Sequence, residues 1–146
     1  MPLVPELYVA DIAKSLSFYV DLLGFHIEYQ RPEEGFAKIA LEDAALMLET
    51  FHSRQPASES EFKQGRWRTA ALEYPLGRGI NFEITVTGIE PAYLKLKQAN
   101  YPLKLDVYDK QYRVDDHMLA VRQFLVMDPD GYLIRLAQET GVFDVL

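Results

Sequence analysis

Few residues of this chain could take part in covalent or metal chemistry, and they are scattered. Cysteine is absent, which excludes thiolate nucleophiles and thiolate zinc sites. The three histidines, His26, His52 and His117, are not spaced as a pair on one helix face. Asp115 and Asp116 precede His117 in a polar cluster that resembles a metal patch, although a solvated loop has the same composition. We predict no catalytic residue and no metal ligand.

Noncovalent binding is better supported, because polar and aromatic side chains share one face of the predicted strands. Side chains of a strand alternate between its two faces. In residues 80–86 the apolar side chains fall on one face, and Asn81, Glu83 and Thr85 fall on the other. The same split elsewhere gives a face that could bind a polar ligand or could be a solvated sheet surface. Its candidate ligand-binding residues are Tyr8, Phe36, Lys38, Met47, Glu49, Asn81, Glu83 and Arg135.

Four more aromatic residues are candidates for stacking on a planar ligand. Trp67, the only tryptophan, lies between Arg66 and Arg68, and it could cover a ligand or anchor a loop. Tyr108, Tyr112 and Phe124 could form a stacking wall, although the core is the preferred location of Phe124.

A helix and four strands are predicted to carry the first group of these residues. Residues 3–9 alternate as a strand does, and Asp11 can cap the helix that follows. That helix has an apolar stripe at helical spacing and ends at Gly24. Three short strands are predicted at residues 25–30, 36–41 and 45–50, which complete a βαβββ module.

The same order of elements returns later in the chain. A strand is predicted at residues 80–86, a helix at about 91–99, and strands at 103–108, 121–127 and 133–137. Residues 128–131, Asp-Pro-Asp-Gly, are predicted as a hairpin turn without a further role. Residues 52–79 lack periodicity, which indicates a functional loop or lid. We predict one domain over residues 1–146, with modules at about 1–51 and 80–146.

Charge and hydropathy restrict the partners. The formal net charge is −7 at pH 7, which disfavours nucleic acid because its binding needs phosphate-neutralising Lys and Arg. The same charge weakly favours a cationic small molecule. The N-terminus has no basic segment followed by an apolar run, and no apolar stretch approaches the length of a membrane span. We expect a cytoplasmic protein without nucleic-acid or membrane partners.

The repeat resembles the vicinal-oxygen-chelate superfamily of glyoxalases, extradiol dioxygenases, fosfomycin-resistance enzymes and bleomycin-resistance proteins. The resemblance rests on residues 4–12, their copy at 81–89, and residues 124–136. It implies an α+β fold in which two tandem βαβββ modules form a curved mixed sheet cup. Most members bind a divalent cation with one residue from each quarter of the chain. The resemblance places these four positions at Val4, Glu49, Asn81 and Arg135.

These four positions lack a usable set of metal ligands. Val4 has no donor atom, Asn81 offers a neutral amide oxygen, and Arg135 repels a cation. The departure resembles the metal-free bleomycin-resistance branch, as do the Val4-Pro5 pair and residues 46–49 and 136–138. That branch implies an antibiotic-resistance protein without a cofactor. It would be a homodimer that sequesters a cationic glycopeptide antibiotic, unchanged, in a groove at the dimer interface.

Two alternatives remain open. A metal-dependent lyase, isomerase or dioxygenase of the same superfamily would contain bound metal, and a metal-free protein could bind an unrelated metabolite. The resemblance also implies that Glu49 and Arg135 converge where relatives hold their metal. Because a lone buried charge is costly, we expect these two side chains to form an ion pair there.

Overall fold

The computed structural model describes residues 2–51 and 67–145, which form two βαβββ modules. Module 1 consists, in chain order, of β1 (Glu6–Val9), α1 (Ile12–Leu16), β2 (His26–Arg31), β3 (Phe36–Leu41) and β4 (Ala44–Thr50). Module 2 consists of β5 (Asn81–Thr85), α2 (Glu90–Gln98), β6 (Leu105–Val114), β7 (His117–Met127) and β8 (Leu133–Asp144). In the described part of the chain, no helix is long and apolar enough to cross a membrane.

The first helix begins and ends where the sequence predicts. The Asp11 carboxylate accepts hydrogen bonds from the main-chain N–H groups of Ala13 and Lys14, at 3.0 and 3.2 Å. Helix α1 continues as a π-helical turn over Ser17–Leu22. Gly24 follows with a φ of +92°, a conformation that glycine adopts without steric cost.

Each module forms a four-stranded mixed sheet. The strand order is β1-β4-β3-β2 in module 1 and β5-β8-β7-β6 in module 2. The first and last strands of each module are parallel neighbours, and the other pairs are antiparallel. The predicted α+β fold with two βαβββ modules is therefore confirmed.

The last three strands are longer than predicted and form an arm. β6 reaches Val114, β7 begins at His117, and β8 continues to Asp144. Asp115, with a φ of +53°, and Asp116 make a tight turn at the tip rather than a loop. The prediction missed the extension because most side chains at the tip are exposed, so no apolar alternation marks a buried face there.

One hydrophobic core joins the two modules on the helical side of both sheets. The cluster includes Leu7 and Val9 from β1, and Ile84 from β5, as strand alternation predicts. The rings of Phe18 and Tyr101 contribute from the two modules, with centroids 5.0 Å apart. The alternate side chains lie on the side of each sheet that faces away from this core. We call these two sides the outer faces.

The turn after β7 connects the modules by hydrogen bonds. Asp128 Oδ2 accepts a 2.7 Å bond from the Tyr19 hydroxyl, and its Oδ1 accepts 2.9 Å bonds from the N–H groups of Asp130 and Tyr132. Asp130 Oδ1 accepts a 2.9 Å bond from the N–H of Ala10. The predicted turn is confirmed, but the prediction that it has no further role is wrong. Both carboxylates bind groups of module 1, which lies more than 100 residues away in sequence.

Burial sets the protonation of this turn. It raises the pKa of the Asp128 carboxyl from its ordinary value of 3.8 to about 6, although the hydrogen bonds from Tyr19 and Tyr132 favour the ionised form. Burial also raises the pKa of Asp130. The folded chain therefore binds protons more tightly here than the unfolded chain does.

This shift predicts that stability falls as pH rises from about 4 to about 6. A raised folded-state pKa contributes stability that is fully present below the unfolded value and is lost through the folded value. The shift from 3.8 to about 6 corresponds to roughly 3 kcal/mol of unfolding free energy as an upper estimate. Asp128→Asn should remove this component. Urea unfolding at pH 4 and pH 7 measures it, with the exposed Asp43→Asn as the matched control. An Asp128→Asn variant with the pH dependence of the wild type would contradict the assignment.

Candidate functional site

The outer face of module 1 brings five of the predicted residues together. Tyr8 and Phe36 are the register neighbours of Glu49 on its two sides. Lys38 is the register neighbour of Met47, two positions along the same strands. These side chains therefore form one continuous patch across β1, β4 and β3.

Cations and carboxylates surround the aromatic rings of this patch. The Arg31 guanidinium lies 4.1 Å from the centroid of the Phe36 ring. Lys38 Nζ lies 3.3 Å from a carboxylate oxygen of Glu28. Burial raises the pKa of the Tyr8 hydroxyl, and the nearby charges of Glu49 and Glu6 raise it further. The tyrosine therefore stays neutral and able to donate a hydrogen bond.

The outer face of module 2 carries Asn81 and Glu83 on β5, and Arg135 on β8. Glu83 is the register neighbour of Arg135 in the parallel pair. Arg135 Nη2 donates a 3.2 Å hydrogen bond to Glu83 Oε2. The Glu83 side chain is 46% exposed, so solvent screens this ion pair and it contributes only about 0–1 kcal/mol.

The expected ion pair between Glu49 and Arg135 is not formed, because the strand register assigns the two residues to different positions. Glu6 pairs with Met47 in module 1, as Glu83 pairs with Arg135 in module 2. Since residues 4–12 match residues 81–89, Met47 is the counterpart of Arg135. Glu49 lies two residues further along its strand. Arg135 therefore forms its ion pair with Glu83, its neighbour on the adjacent strand β5.

The register changes the four positions at which the family resemblance implies metal ligands. They become Val4, Met47, Asn81 and Arg135, which offer one amide oxygen, one thioether and a permanent positive charge. A divalent cation of the catalytic type needs about three nitrogen or oxygen ligands. Across residues 2–51 and 67–145, no three His, Asp or Glu side chains lie together as potential ligands. The side chains at these positions therefore do not fit such a metal.

Two of the predicted aromatic residues lie in different surroundings. The main chain of Trp67 is hydrogen-bonded to the Tyr8 hydroxyl, and the Trp67 side chain is 57% exposed. Trp67 therefore lies beside the module 1 patch. Phe124 is buried in the core, 5.9 Å from the Tyr93 ring, so it is not an outer-face residue. The predicted lid lies largely at residues 52–66, outside the described part of the chain.

Gln123 was not among the predicted residues, and it contacts two of the predicted stacking candidates, Tyr108 and Tyr112. Gln123 is fully buried, and its Nε2 donates to the hydroxyls of Tyr108 and Tyr112, at 2.6 and 2.8 Å. Gln123 lies on β7 two residues before Leu125, and Leu125 is the register neighbour of Arg135 on β8. Alternation along β7 therefore puts Gln123 on the outer face of module 2, together with the predicted Tyr112.

An acidic cavity borders the module 2 face. It measures about 580 Å³ and is lined by four carboxylates, those of Glu42, Asp43, Glu83 and Glu139. Glu42 also accepts hydrogen bonds from the main-chain N–H of Thr87, which joins the modules at this end. The cavity favours a positively charged group beside the outer face.

Elemental analysis tests the mismatch between these side chains and a metal. Protein purified without a chelator should contain no stoichiometric divalent metal, because among the described residues no set of three carboxylate or imidazole ligands lies together. As a control, Zn²⁺ or Mn²⁺ is added to the same preparation and free metal is then removed by dialysis. The dialysed protein should also retain no metal. One Zn, Ni, Mn or Fe per chain would contradict the prediction and favour the metal-dependent alternative.

Comparison with known proteins agrees with this fold. The model of the Glyoxalase/Bleomycin resistance protein/Dioxygenase superfamily matches residues 3–136. A bleomycin resistance protein of Geobacillus stearothermophilus is 28% identical over 144 residues, which cover 93% of this chain and 95% of the relative. The crystal structure of TioX from Micromonospora sp. ML1 matches with a TM-score of 0.65 at 16% identity, covering 96% and 99% of the two chains. Lactoylglutathione lyase from Agrobacterium tumefaciens matches with a TM-score of 0.58 at 16% identity, covering 94% and 92%. The chain belongs to the glyoxalase/bleomycin resistance protein/dioxygenase superfamily.

Proposed function

We propose that this protein binds a cationic glycopeptide antibiotic of the bleomycin type and leaves it chemically unchanged. The observation that carries the proposal is the composition of the outer faces. Where the family resemblance implies a metal, Met47 has Glu6 and Lys38 as strand neighbours and Arg135 has Glu83. Such faces can recognise a ligand through charge and stacking. The 28% identity to bleomycin resistance proteins, over nearly the full length of both chains, supports this ligand class.

The distribution of charge supports a cationic ligand. Glu6 and Glu49 lie close enough to Tyr8 to raise the pKa of its hydroxyl. Four carboxylates line the cavity beside the module 2 face. The positive charge of Arg135 is offset locally by Glu83. Trp67, which is 57% exposed beside the buried rings of Tyr8 and Phe36, supplies aromatic surface for a planar part of the ligand.

The proposed assembly is a homodimer in the cytoplasm, without a cofactor. The modules of one chain are joined on the side of the shared core, so the outer faces point away from that core. One chain therefore presents two separate half-sites. A second copy, related by a two-fold axis, could place its module 2 face opposite the module 1 face of the first and so form two equivalent grooves.

Titration calorimetry with bleomycin tests the binding proposal. We expect about one drug molecule per chain and unchanged drug by mass spectrometry afterwards. Because exposed charges contribute to the attraction, affinity should fall with salt. Glu83→Gln should weaken binding several-fold, whereas Glu33→Gln, an exposed carboxylate of module 1 outside the patch, should not. No detectable binding at micromolar concentration would contradict the ligand assignment, and modified drug would indicate an enzyme.

Sedimentation equilibrium tests the assembly. The protein should be a dimer at micromolar concentration, because a groove between outer faces needs a second copy. Saturating bleomycin should leave the protein dimeric and add only the mass of the bound drug. A monomer that still binds one drug molecule with full affinity would contradict the shared groove.

A further inference from the structure

Two buried polar atoms have no hydrogen-bond partner in the described part of the chain. They are Gln123 Oε1 and Arg135 Nε. An unsatisfied buried donor or acceptor is costly and therefore rare in folded proteins. The two atoms are also complementary, because the amide oxygen of Gln123 accepts a hydrogen bond and Nε of Arg135 donates one.

The two side chains are neighbours on the same outer face. In the antiparallel pair of β7 and β8, Arg135 is opposite Leu125, and Gln123 is opposite Ala137. Gln123 and Leu125 share a face, so Gln123 and Arg135 are diagonal neighbours, roughly 7–8 Å apart on adjacent strands. An acceptor and a donor thus lie side by side on the outer face of module 2.

Each side chain is already held by its other end. Gln123 Nε2 donates to the Tyr108 and Tyr112 hydroxyls, and Arg135 Nη2 donates to Glu83. These contacts fix the orientation of both groups before a ligand arrives. Fixed groups lose little conformational freedom on binding, which favours affinity and specificity.

We infer that Gln123 and Arg135 form a subsite for a neutral amide group of the ligand. The amide N–H donates to Gln123 Oε1, and the amide carbonyl accepts from Arg135 Nε. An amide carries one donor and one acceptor, so a single amide can bind both atoms, whose residues are diagonal neighbours on adjacent strands.

Charged ligand groups fit this pair of atoms less well. A carboxylate cannot donate to Gln123 Oε1, and it would lie close to the carboxylate of Glu83. A cation could donate to Gln123, but the guanidinium of Arg135 repels it. The subsite rests on the proposed function, since a glycopeptide carries amide groups along its peptide part, while the acidic cavity beside Glu83 receives its charge.

Tyr108 and Tyr112 hold the subsite at the edge of the sheet. Both lie on β6, the edge strand, and both are only partly buried. Their hydroxyls keep the hydrogen bonds from Gln123 Nε2 while Gln123 Oε1 binds the ligand amide.

Nuclear magnetic resonance with benzamide and benzoate tests the subsite without any drug. Both probes have the same ring, but only benzamide carries an amide. Benzamide should shift the side-chain resonances of Gln123 and of Arg135 Nε saturably at millimolar concentration, and benzoate should not. Equal shifts with both probes, or no shift of Gln123 with benzamide, would overturn the subsite.

Variants then connect the subsite to drug binding. Gln123→Met should weaken bleomycin binding about tenfold, with a moderate fall in Tm because the hydrogen bonds to Tyr108 and Tyr112 are lost together with the unsatisfied oxygen. Arg135→Lys keeps the charge but removes Nε, and it should have a similar effect. The double variant should lose less affinity than the product of the two single losses, because both groups hold one amide. Gln111→Met, at an exposed position of β6, is the matched control.

The outcomes separate this subsite from the proposed function. Bleomycin binding that is unaffected by Gln123→Met leaves the proposed function intact and overturns the subsite. A benzamide response without bleomycin binding supports the subsite and removes the bleomycin assignment. A large fall in Tm for Gln123→Met, with benzamide binding unchanged, would show that Gln123 is structural and would also overturn the subsite.

Discussion

The hydrogen bonds at the turn after β7 fix the arrangement on which the rest of this structure depends. Asp128 and Asp130 accept bonds from Tyr19 and from the main chain of Ala10, so the turn of one module is bound to the helical end of the other. Shifting the turn would leave these buried groups unpaired, at a cost of about 1–3 kcal/mol each. The modules are therefore held with their apolar sides together, and both outer faces point away from the shared core.

Strand register then decides which chemistry the outer faces can support. The register makes Met47 of module 1 the counterpart of Arg135 in module 2. Within its own sheet, Arg135 lies beside Glu83. Where the family resemblance implies anionic or imidazole ligands, this chain has a thioether, an amide and a neutralised guanidinium. Carboxylates line the cavity beside Glu83, the neighbour of Arg135. These side chains support the proposed recognition of a cationic molecule and do not suit the polarisation of a substrate by a metal.

Periodicity predicted the elements, whereas long-range contacts could not be predicted. The βαβββ repeat, the Asp11 cap and the turn at 128–131 follow from local rules. The roles of Asp128 and Asp130 depend on partners more than 100 residues away, which no local pattern encodes. The resemblance predicted Glu49, rather than Met47, as the counterpart of Arg135. Motif spacing alone locates a residue on a strand only to within about two positions, because every second residue shares a face. Gln123 was missed because it stands between Arg122 and Phe124, and only the strand pairing shows that it is buried.

The location of the ligand is the most direct test of this account, and two methyl-bearing side chains report on the competing surfaces. Met47 lies on the outer face of module 1, whereas Leu22 lines a cavity of about 570 Å³ on the helical side, beside Phe18 and Tyr101. With 13C-methyl labels on methionine and leucine, a bleomycin titration should move the Met47 resonance until about one drug molecule per chain is bound. The Leu22 resonances should move much less. Saturable movement of Leu22 with Met47 unchanged would place the ligand on the helical side and contradict the account.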